Sequence, residues 1–308
     1  MKAAGEEKGL AARDVGDANT RLGILLMVAG ILLFALNDAL GKWLVATYSV
    51  GQLLLVRSGA AMLVLAPAIA RTGWRSLFRV ERPLLHVFRV IVSSAEVYLF
   101  YYAVMYLPLA DTMTYWLAAP IYVAALSPLL LGEHVGWRRW TAIFVGFLGV
   151  IIALRPSTAV LSPAAIVAIM GSLAFAMMFI TSRILRGTPD VTLVFWQIFG
   201  AGVLGLVMAP LNWTPIDPVD FVLLMLLGIV AMGAHVCVNR ALKFGDAATI
   251  IPFQYTQLLW GVILGWVFFS EIPSVQLLVG AVFIIGAGLF IFFRERQLKK
   301  PTDEVMEI

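Results

Sequence analysis

The sequence predicts an all-α integral membrane protein of ten transmembrane helices, arranged as two inverted five-helix repeats around a central cavity. Three observations support this fold class: 61% of the 308 residues are hydrophobic, only 13% are charged, and the apolar residues fall into ten separate runs. Soluble domains are about 45–50% apolar and about 25% charged. Because one core cannot bury this much apolar surface, we expect lipid to surround most of the chain.

Each apolar run has about the length that a bilayer requires. A hydrocarbon layer of about 30 Å needs about 20 helical residues at roughly 1.5 Å per residue. Turn-forming residues separate the runs, as in RPSTAVLSP at 155–163 and EIPS at 271–274. We therefore predict spans at 22–44, 50–71, 84–106, 110–131, 137–154, 163–185, 192–211, 218–241, 247–269 and 274–293.

The basic residues indicate the orientation of the chain. With the N-terminus inside, 18 of the 22 Lys and Arg residues fall in inner segments, as is typical of cytoplasmic loops. An even number of spans places both termini on the same side. We predict cytoplasmic tails at 1–20 and 294–308, the first without regular structure. Because the basic residues lie at helix ends rather than on one face, the net charge of +4 predicts no nucleic-acid partner.

Two stretches of the chain, 110–133 and 245–271, follow the same plan of aspartate, apolar run, proline and glutamate. The corresponding positions are Asp111 with Asp246, Pro120 with Pro252, and Glu133 with Glu271. We predict a first repeat at 21–155, an outer linker at 156–162 and a second repeat at 163–293. Because each repeat holds an odd number of spans, the second crosses the membrane in the opposite sense. Inverted repeats are typical of secondary transporters, which bind substrate near the bilayer midplane.

The pattern Ala-Asp…Pro…Leu-Gly-Glu, followed by WRRWTAIFVGFLGVIIALRP at 137–156, resembles the EamA repeat of the drug/metabolite transporter superfamily. The resemblance covers about 21–293. It implies a ten-helix carrier in a bacterial inner membrane that works by alternating access around a central cavity. Within the superfamily the chain is most similar to YddG-type amino-acid exporters, which implies export of amino acids with aromatic or other apolar side chains. S-adenosylmethionine carriers are the nearest alternative.

Charged residues within the spans require partners, because a charge at a span centre costs roughly 2.5–3.5 kcal/mol on insertion scales. Asp38 and Lys42 are four residues apart, and we predict a structural ion pair between them on one helical face. Asn37 is a candidate substrate contact. Arg57 can extend outward or pair with Asp38 or Asp111, and we expect structural pairing.

Glu96 lies in the middle of the third span, in RVIVSSAEVYLFYYAV. Three roles are open for this carboxyl group: a hydrogen bond that packs two helices, a proton-coupling group, or a partner for a substrate amine. The driving force for transport is correspondingly either a substrate gradient or protons carried by Glu96.

The remaining candidate substrate-binding residues are aromatic or polar side chains of the third, fourth, eighth and ninth spans. Tyr98 and Tyr102 share one helical face, and Tyr101 is predicted to point elsewhere. Pro120 and Pro252 cannot donate a backbone hydrogen bond, and we predict that they act as hinges of paired gating helices. The full set of aromatic and polar candidates is Tyr98, Tyr102, Tyr115, Trp116, His235, Asn239, Gln254, Tyr255 and Gln257.

Motifs for other kinds of function do not occur in the sequence. There is no GxxxxGK[ST] loop for ATP, no HExxH metal motif and no GxSxG nucleophile motif. We therefore predict no cofactor, no metal and no catalysis, and the expected partners are a small-molecule substrate and the lipid bilayer. An intramembrane enzyme using Glu96 and His235 as an acid–base pair, and a channel, are the other function classes considered. The oligomeric state is not predicted.

Overall fold

The computed structural model of the protein describes residues 2–130, 136–154, 162–185, 187–244 and 251–298. Throughout these ranges the regular structure is helical, without strands. Short 3₁₀ turns lie at Trp74–Phe78, Ala209–Asn212 and Ile251–Tyr255. The α-helices of the described ranges are α1 Lys2–Val45, α2 Val50–Thr72, α3 Pro83–Tyr106, α4 Leu109–Leu117, α5 Ala119–Leu130, α6 Trp137–Leu154, α7 Pro163–Ile184, α8 Asp190–Met208, α9 Pro218–Phe244, α10 Thr256–Phe269 and α11 Val275–Leu298.

Helix lengths and hydropathy fit a multi-pass membrane protein. Of the described residues, seven segments are long and apolar enough to cross a membrane, and three further helices are shorter but apolar. The seven are Arg21–Val45, Val50–Thr72, Pro83–Tyr106, Leu109–Leu130, Pro163–Ser182, Val191–Asn212 and Pro218–Val238. The shorter helices are Trp140–Ala153, Phe253–Phe269 and Val275–Phe290. Each corresponds to one predicted span.

The first helix is longer than predicted. α1 begins at Lys2, so the N-terminal residues expected to lack regular structure continue the helix instead. The segment AAGEEKGLAAR at 3–13 is rich in Ala, Glu, Lys and Arg. These residues have high helix propensity, so a helix that the first span nucleates can extend through them.

The fourth span is interrupted beside Pro120. α4 ends at Leu117 and α5 starts at Ala119. The N–H of Ala118 turns back to the carbonyl of Tyr115 at 3.1 Å. A proline two residues further on has no N–H to continue the helical ladder. In the second copy a 3₁₀ turn at Ile251–Tyr255 precedes α10, while Asp246 and Glu133 lie outside the described residues.

Helices of the first half of the chain (21–155) pack mainly against helices of the second half (163–293). α1 lies along α9, α2 along α8, α3 along α7, α6 along α11, and α4 against α10. Small residues allow the closest approaches, as membrane helices often require. A Cβ at Gly205 on α8 would lie 2.5 Å from the backbone nitrogen of Leu55 on α2. This pairing places polar residues of α1–α4 inside the bundle.

Candidate functional site

The hydroxyl group of Tyr101 on α3 is the centre of a polar cluster inside the bundle. Its oxygen accepts hydrogen bonds from Arg57 Nη1 at 2.9 Å and from Asn37 Nδ2 at 3.1 Å. The Arg57 guanidinium also lies over the Tyr101 ring, 5.3 Å from its centroid. Tyr101 is 1% exposed, and Gly41 makes room for its ring, because a Cβ at Gly41 would overlap it. One hydroxyl group thus connects α1, α2 and α3.

Asn37 and Asp38 form the α1 side of this cluster. Both are buried, and Asn37 Nδ2 donates to Asp38 Oδ1 at 3.3 Å. The side chain of Gln257 on α10 reaches the Asp38 carboxyl group from the second half of the chain. Asn37 Oδ1 is buried without a hydrogen-bond partner among the described residues. Since buried acceptors are usually satisfied, this oxygen is available to a ligand that donates hydrogen bonds.

Glu96 on α3 contributes a second carboxyl group. Its Oε1 accepts a hydrogen bond from Trp116 Nε1 on α4 at 2.7 Å. The Trp116 ring packs edge-on against Phe100, and Gly171 on α7 leaves room for the indole. Glu96 as a whole residue is half-buried. Of the three roles considered for Glu96, the helix-packing hydrogen bond is present; the structure does not test the other two.

Arg57 on α2 is the cation of the cluster. Its side chain turns inward rather than extending toward the membrane surface, and it is close enough to act electrostatically on Asp38, Glu96 and His235. Of the two partners expected for Arg57, Asp38 or Asp111, Asp38 is reached only indirectly, because the Tyr101 hydroxyl lies between the guanidinium and the Asn37–Asp38 pair. We call these six residues the central cluster: Asn37, Asp38, Arg57, Glu96, Tyr101 and Trp116.

A second charged arrangement, the Lys42–Glu271 latch, lies at the C-terminal end of α1. Lys42 Nζ forms an ion pair with Glu271 Oε1 and donates to the carbonyl oxygen of Leu107 at 2.8 Å. Glu271 Oε2 accepts a hydrogen bond from the N–H of Leu109 at 2.8 Å. The latch therefore joins the end of α1 to the α3–α4 connection and to the α10–α11 connection.

The predicted ion pair between Asp38 and Lys42 is wrong. Lys42 turns to Glu271, 229 positions away in the sequence. A helix-surface pair contributes only about 0.3–0.5 kcal/mol, whereas in the latch each charged group also gains a backbone hydrogen bond. Ser270, in the left-handed conformation with φ of 56°, ends α10 and positions Glu271, whose N–H bonds to the carbonyl oxygen of Gly265 at 3.0 Å.

The latch borders a cavity of about 570 Å³ between the ends of α1, α3 and α10. Lys42, Val104 and Tyr106 line it, together with Phe269, whose ring centroid lies 5.1 Å from Lys42 Nζ. A cavity of this size suits a small metabolite. Its mixed lining of charged, aromatic and apolar groups is suited to a ligand with both polar and apolar parts.

Tyr98 and Tyr102 do not join the central cluster. Their rings stack on each other at 6.2 Å, and Tyr102 continues to Tyr106, which is 61% exposed. The prediction that Tyr101 points away from the site is therefore wrong: Tyr101 faces the polar interior, and the Tyr98–Tyr102 stripe leads toward the surface. Helical spacing identified the two faces, but neighbouring helices determine which one turns inward.

The other predicted residues are distributed around the cluster. Tyr115 is buried, Asp111 is half-buried in the first turn of α4, and His235 packs edge-on against Phe34 at 4.9 Å. Tyr255 is directed toward α11, where its hydroxyl occupies the space beside Gly288. Gln254 is half-buried. The side chains of Asn239, Pro120 and Pro252 lie outside what the structure describes.

The central cluster places two carboxyl groups, one guanidinium and several neutral polar groups between aromatic side chains. Carboxylates bind ammonium groups and guanidinium binds carboxylates through charge-assisted hydrogen bonds. A ligand that carries both charges matches this set. Across the described residues, no group of three or more His, Cys, Asp or Glu side chains is arranged to hold a metal ion.

The sequence profile of the EamA-like transporter family matches residues 21–155 and 162–293, which is most of the chain. The chain belongs to the EamA-like transporter family. This membership and the apolar helices identify a multi-pass integral membrane protein. The boundaries of the two matched segments lie within one residue of those predicted for the two repeats, 21–155 and 163–293.

Several curated relatives of this EamA-like transporter are carriers of small molecules. The S-adenosylmethionine uptake transporter of Rickettsia prowazekii (strain Madrid E) is 25% identical over 285 residues, covering 92% of this chain and 96% of the relative. The riboflavin transporter of Rhizobium johnstonii is 26% identical, with 91% and 94% covered. The pseudopaline exporter CntI of Pseudomonas aeruginosa is 27% identical, with 86% and 94% covered. Together they support a metabolite transporter.

One solved crystal structure has a similar fold, with a TM-score of 0.60 over 90% of this EamA-like transporter and 99% of the other chain. The sequence identity is 18%, so the likeness supports the fold alone. All of these relatives are similar in length to the present chain. The finer assignment to amino-acid exporters stays a prediction.

Proposed function

We propose that this EamA-like transporter is a secondary carrier for zwitterionic metabolites with an α-amino-acid head, and that the central cluster binds this head. The observation that carries the proposal is the hydrogen-bonded group of Asn37, Asp38, Arg57 and Tyr101, together with a Glu96 carboxyl group close enough to Arg57 for an electrostatic interaction. Arg57 binds the substrate carboxylate. Asp38 and the unpartnered Asn37 Oδ1 accept hydrogen bonds from the substrate ammonium group.

The charge balance of the cluster favours S-adenosylmethionine as substrate. Two carboxylates and one guanidinium leave an excess negative charge when both acids are ionised. S-adenosylmethionine carries an ammonium, a sulfonium and a carboxylate, and so has the matching excess positive charge. Trp116 beside Glu96 offers an aromatic surface for the sulfonium or the adenine. The relative that carries S-adenosylmethionine is aligned over nearly the whole chain.

Export of amino acids with aromatic or other apolar side chains is the second candidate. The aromatic contact of Trp116 with Phe100 next to Glu96 favours it, because such a wall accepts an apolar side chain. A neutral zwitterion then requires one of the two acids to be protonated, which Glu96 could provide. In that case Glu96 carries a proton with each transport cycle.

Alternating access between two inverted repeats is our proposal for the mechanism. Three observations support it: the packing of each first-half helix on a second-half helix, the break in the fourth span beside Pro120, and the 3₁₀ turn that contains Pro252. The latch closes one end of the bundle in this conformation. Its opening would free α1 from the α3–α4 and α10–α11 connections, while Pro120 and Pro252 act as hinges and both termini remain cytoplasmic.

Uptake by purified protein in liposomes tests the substrate. We expect saturable uptake of labelled S-adenosylmethionine, and competition by excess phenylalanine only if both bind one site. Transport of phenylalanine without S-adenosylmethionine would leave the amino-acid candidate standing and reject the first one. Absence of transport for both would reject the proposed amino-acid head.

Glu96→Gln tests the proton role, with a pH gradient imposed across the same liposomes. If Glu96 carries protons, this variant loses pH-driven accumulation while exchange of substrate across the membrane continues. Glu81→Gln is the control, because Glu81 is exposed in the α2–α3 connection. Full pH-driven accumulation by Glu96→Gln would reject proton coupling through this residue.

A further inference from the structure

We propose that the groove between α3 and α8 binds one phospholipid with an anionic headgroup. One acyl chain lies in the groove, and the headgroup contacts the arginines of the α2–α3 connection. The groove has a volume of about 630 Å³ and is separate from the central cluster. The proposal concerns a lipid partner and is independent of which metabolite is carried.

The lining of the groove is almost entirely apolar. Val87, Val90 and Ile91 on α3 face Phe199 and Val203 on α8. Such a surface is complementary to hydrocarbon and offers little to a polar metabolite. Within a membrane, the molecule that supplies hydrocarbon at this position is a bilayer lipid.

The groove has the length of one lipid leaflet. On α3 its lining extends from Pro83 to Ala95, which is about 18 Å at the helical rise of 1.5 Å per residue. One leaflet is half of a hydrocarbon layer of about 30 Å, or about 15 Å. An acyl chain that starts at the 3₁₀ turn Trp74–Phe78 therefore reaches the end of the groove near the bilayer midplane.

A buried polar side chain without a partner lies near the mouth of the groove. His86 is 4% exposed, and neither of its ring nitrogens has a hydrogen-bond partner among the described residues. It is one of the groove-lining residues, three positions after Pro83, where α3 begins. The ester carbonyl groups of a phospholipid lie at this depth, just below the headgroup. The imidazole N–H can donate to one of them.

The charges at the mouth match an anionic headgroup. Arg75, Arg79 and Arg82 are exposed in the connection that begins the groove, and Glu81 is the one acidic residue between 71 and 82. Basic side chains at a membrane surface attract anionic lipids. Trp74, also exposed, offers the kind of ring that anchors at the headgroup level. The headgroup contact is therefore electrostatic and should depend on lipid charge.

Native mass spectrometry of the full-length protein, with lipid added to the detergent, tests the headgroup. We expect phosphatidylglycerol to be retained about tenfold more than phosphatidylcholine at equal concentration. The triple variant Arg75→Gln, Arg79→Gln, Arg82→Gln should lose this preference, and Arg138→Gln, an exposed arginine at the start of α6, should keep it. Equal retention of both lipids by the unchanged protein would overturn the proposal.

The acyl-chain contact has its own test in the same experiment. Ala95→Phe fills the groove and should lower phosphatidylglycerol retention about fivefold, whereas Val222→Phe on the exposed face of α9 should not. His86→Phe, which keeps a ring against Trp196, should lower retention about threefold. Melting temperatures of all variants identify any that are misfolded. Unchanged retention of phosphatidylglycerol by correctly folded Ala95→Phe would show that the lipid does not bind in the groove.

Discussion

The central cluster and the Lys42–Glu271 latch use residues of α1 that are only four positions apart, Asp38 and Lys42, but they differ in which halves of the chain they join. The six side chains of the central cluster all come from α1–α4, in the first half of the chain. The latch joins α1 to Glu271 in the second half. Movement of the two halves would break the latch. The hydrogen bonds among the six central-cluster side chains can persist, although the contact of Gln257 with Asp38 also joins them to the second half. The difference separates a group suited to hold substrate from a group suited to hold one conformation.

The strongest test of this division is Arg57→Gln. Removing the cation takes away the positive charge that acts on both Asp38 and Glu96, and it also removes the charged hydrogen bond to the Tyr101 hydroxyl, a kind of bond that contributes about 1.5–3 kcal/mol. We expect the initial rate of substrate uptake in liposomes to fall at least about 100-fold. Arg138→Gln, which changes an exposed arginine, is the control and should transport normally. Uptake by Arg57→Gln within twofold of the unchanged protein would show that the cluster does not bind substrate.

Breaking the latch should change access rather than binding. In a cysteine-free background made with Cys237→Ser, a probe cysteine at Val104, which is buried beside the latch cavity, reports opening. We expect Lys42→Met to raise the labelling rate of this cysteine about tenfold, because a partly buried ion pair and its hydrogen bonds are lost. The substrate KM should change less than threefold. A large rise in KM without faster labelling would assign Lys42 to substrate binding instead.

Removing the Tyr101 hydroxyl group tests the residue that connects Arg57 with Asn37 in the central cluster, because the substitution deletes only one oxygen atom. Tyr101→Phe deletes the acceptor of Arg57 and Asn37, and hydrogen bonds to charged groups contribute about 1.5–3 kcal/mol. We expect uptake to fall about tenfold. Tyr98→Phe is the matched control on the same helix, since Tyr98 contacts Tyr102 through ring stacking. Equal effects of the two variants would contradict the special position of Tyr101.

The smallest effect is expected at Tyr48, outside both regions, in the connection between α1 and α2. Tyr48 donates a hydrogen bond to Asp220 Oδ2 at 2.6 Å, and this contact raises the pKa of Tyr48 above its usual value of about 10. A raised pKa means that folding favours the protonated hydroxyl. Its contribution to stability is therefore present below about pH 10 and is lost as the pH rises through the raised pKa.

Melting curves of Tyr48→Phe check this expectation. The variant should melt slightly below the unchanged protein at pH 8, and the difference should shrink at pH 11. Uptake should stay normal, because the Tyr48 hydroxyl bonds to Asp220 and to the N–H of Asp217 in the α8–α9 connection, and these residues belong neither to the central cluster nor to the latch. A difference in melting temperature that grows with pH would contradict the assigned hydrogen bond.

Much of the fold follows from local sequence properties. The apolar runs predicted where the helices lie, and the charged residues inside those runs predicted polar groups in the interior of the bundle. Asn37 and Glu96 were identified as candidates because polar groups in lipid are costly wherever they pack. Trp116 was among the aromatic candidates of the fourth span, whereas Asp38 was predicted only as a partner in ion pairs. Tyr101 was missed since a tyrosine is stable on either face of a membrane helix. A search for the partner that Asn37 required could have found it.

Composition and the length of the apolar runs were enough to identify a membrane protein, because the cost of placing a residue in lipid depends on that residue and its near neighbours. The partners of individual charged residues could not be predicted from composition or from the length of the apolar runs. Lys42 pairs with Glu271 rather than with Asp38, and Arg57 is linked to Asp38 only through Tyr101 and Asn37. These contacts depend on distances between helices, which are determined by how the helix surfaces pack. Packing across the bundle thus decided which polar residues meet in the central cluster and which meet in the latch.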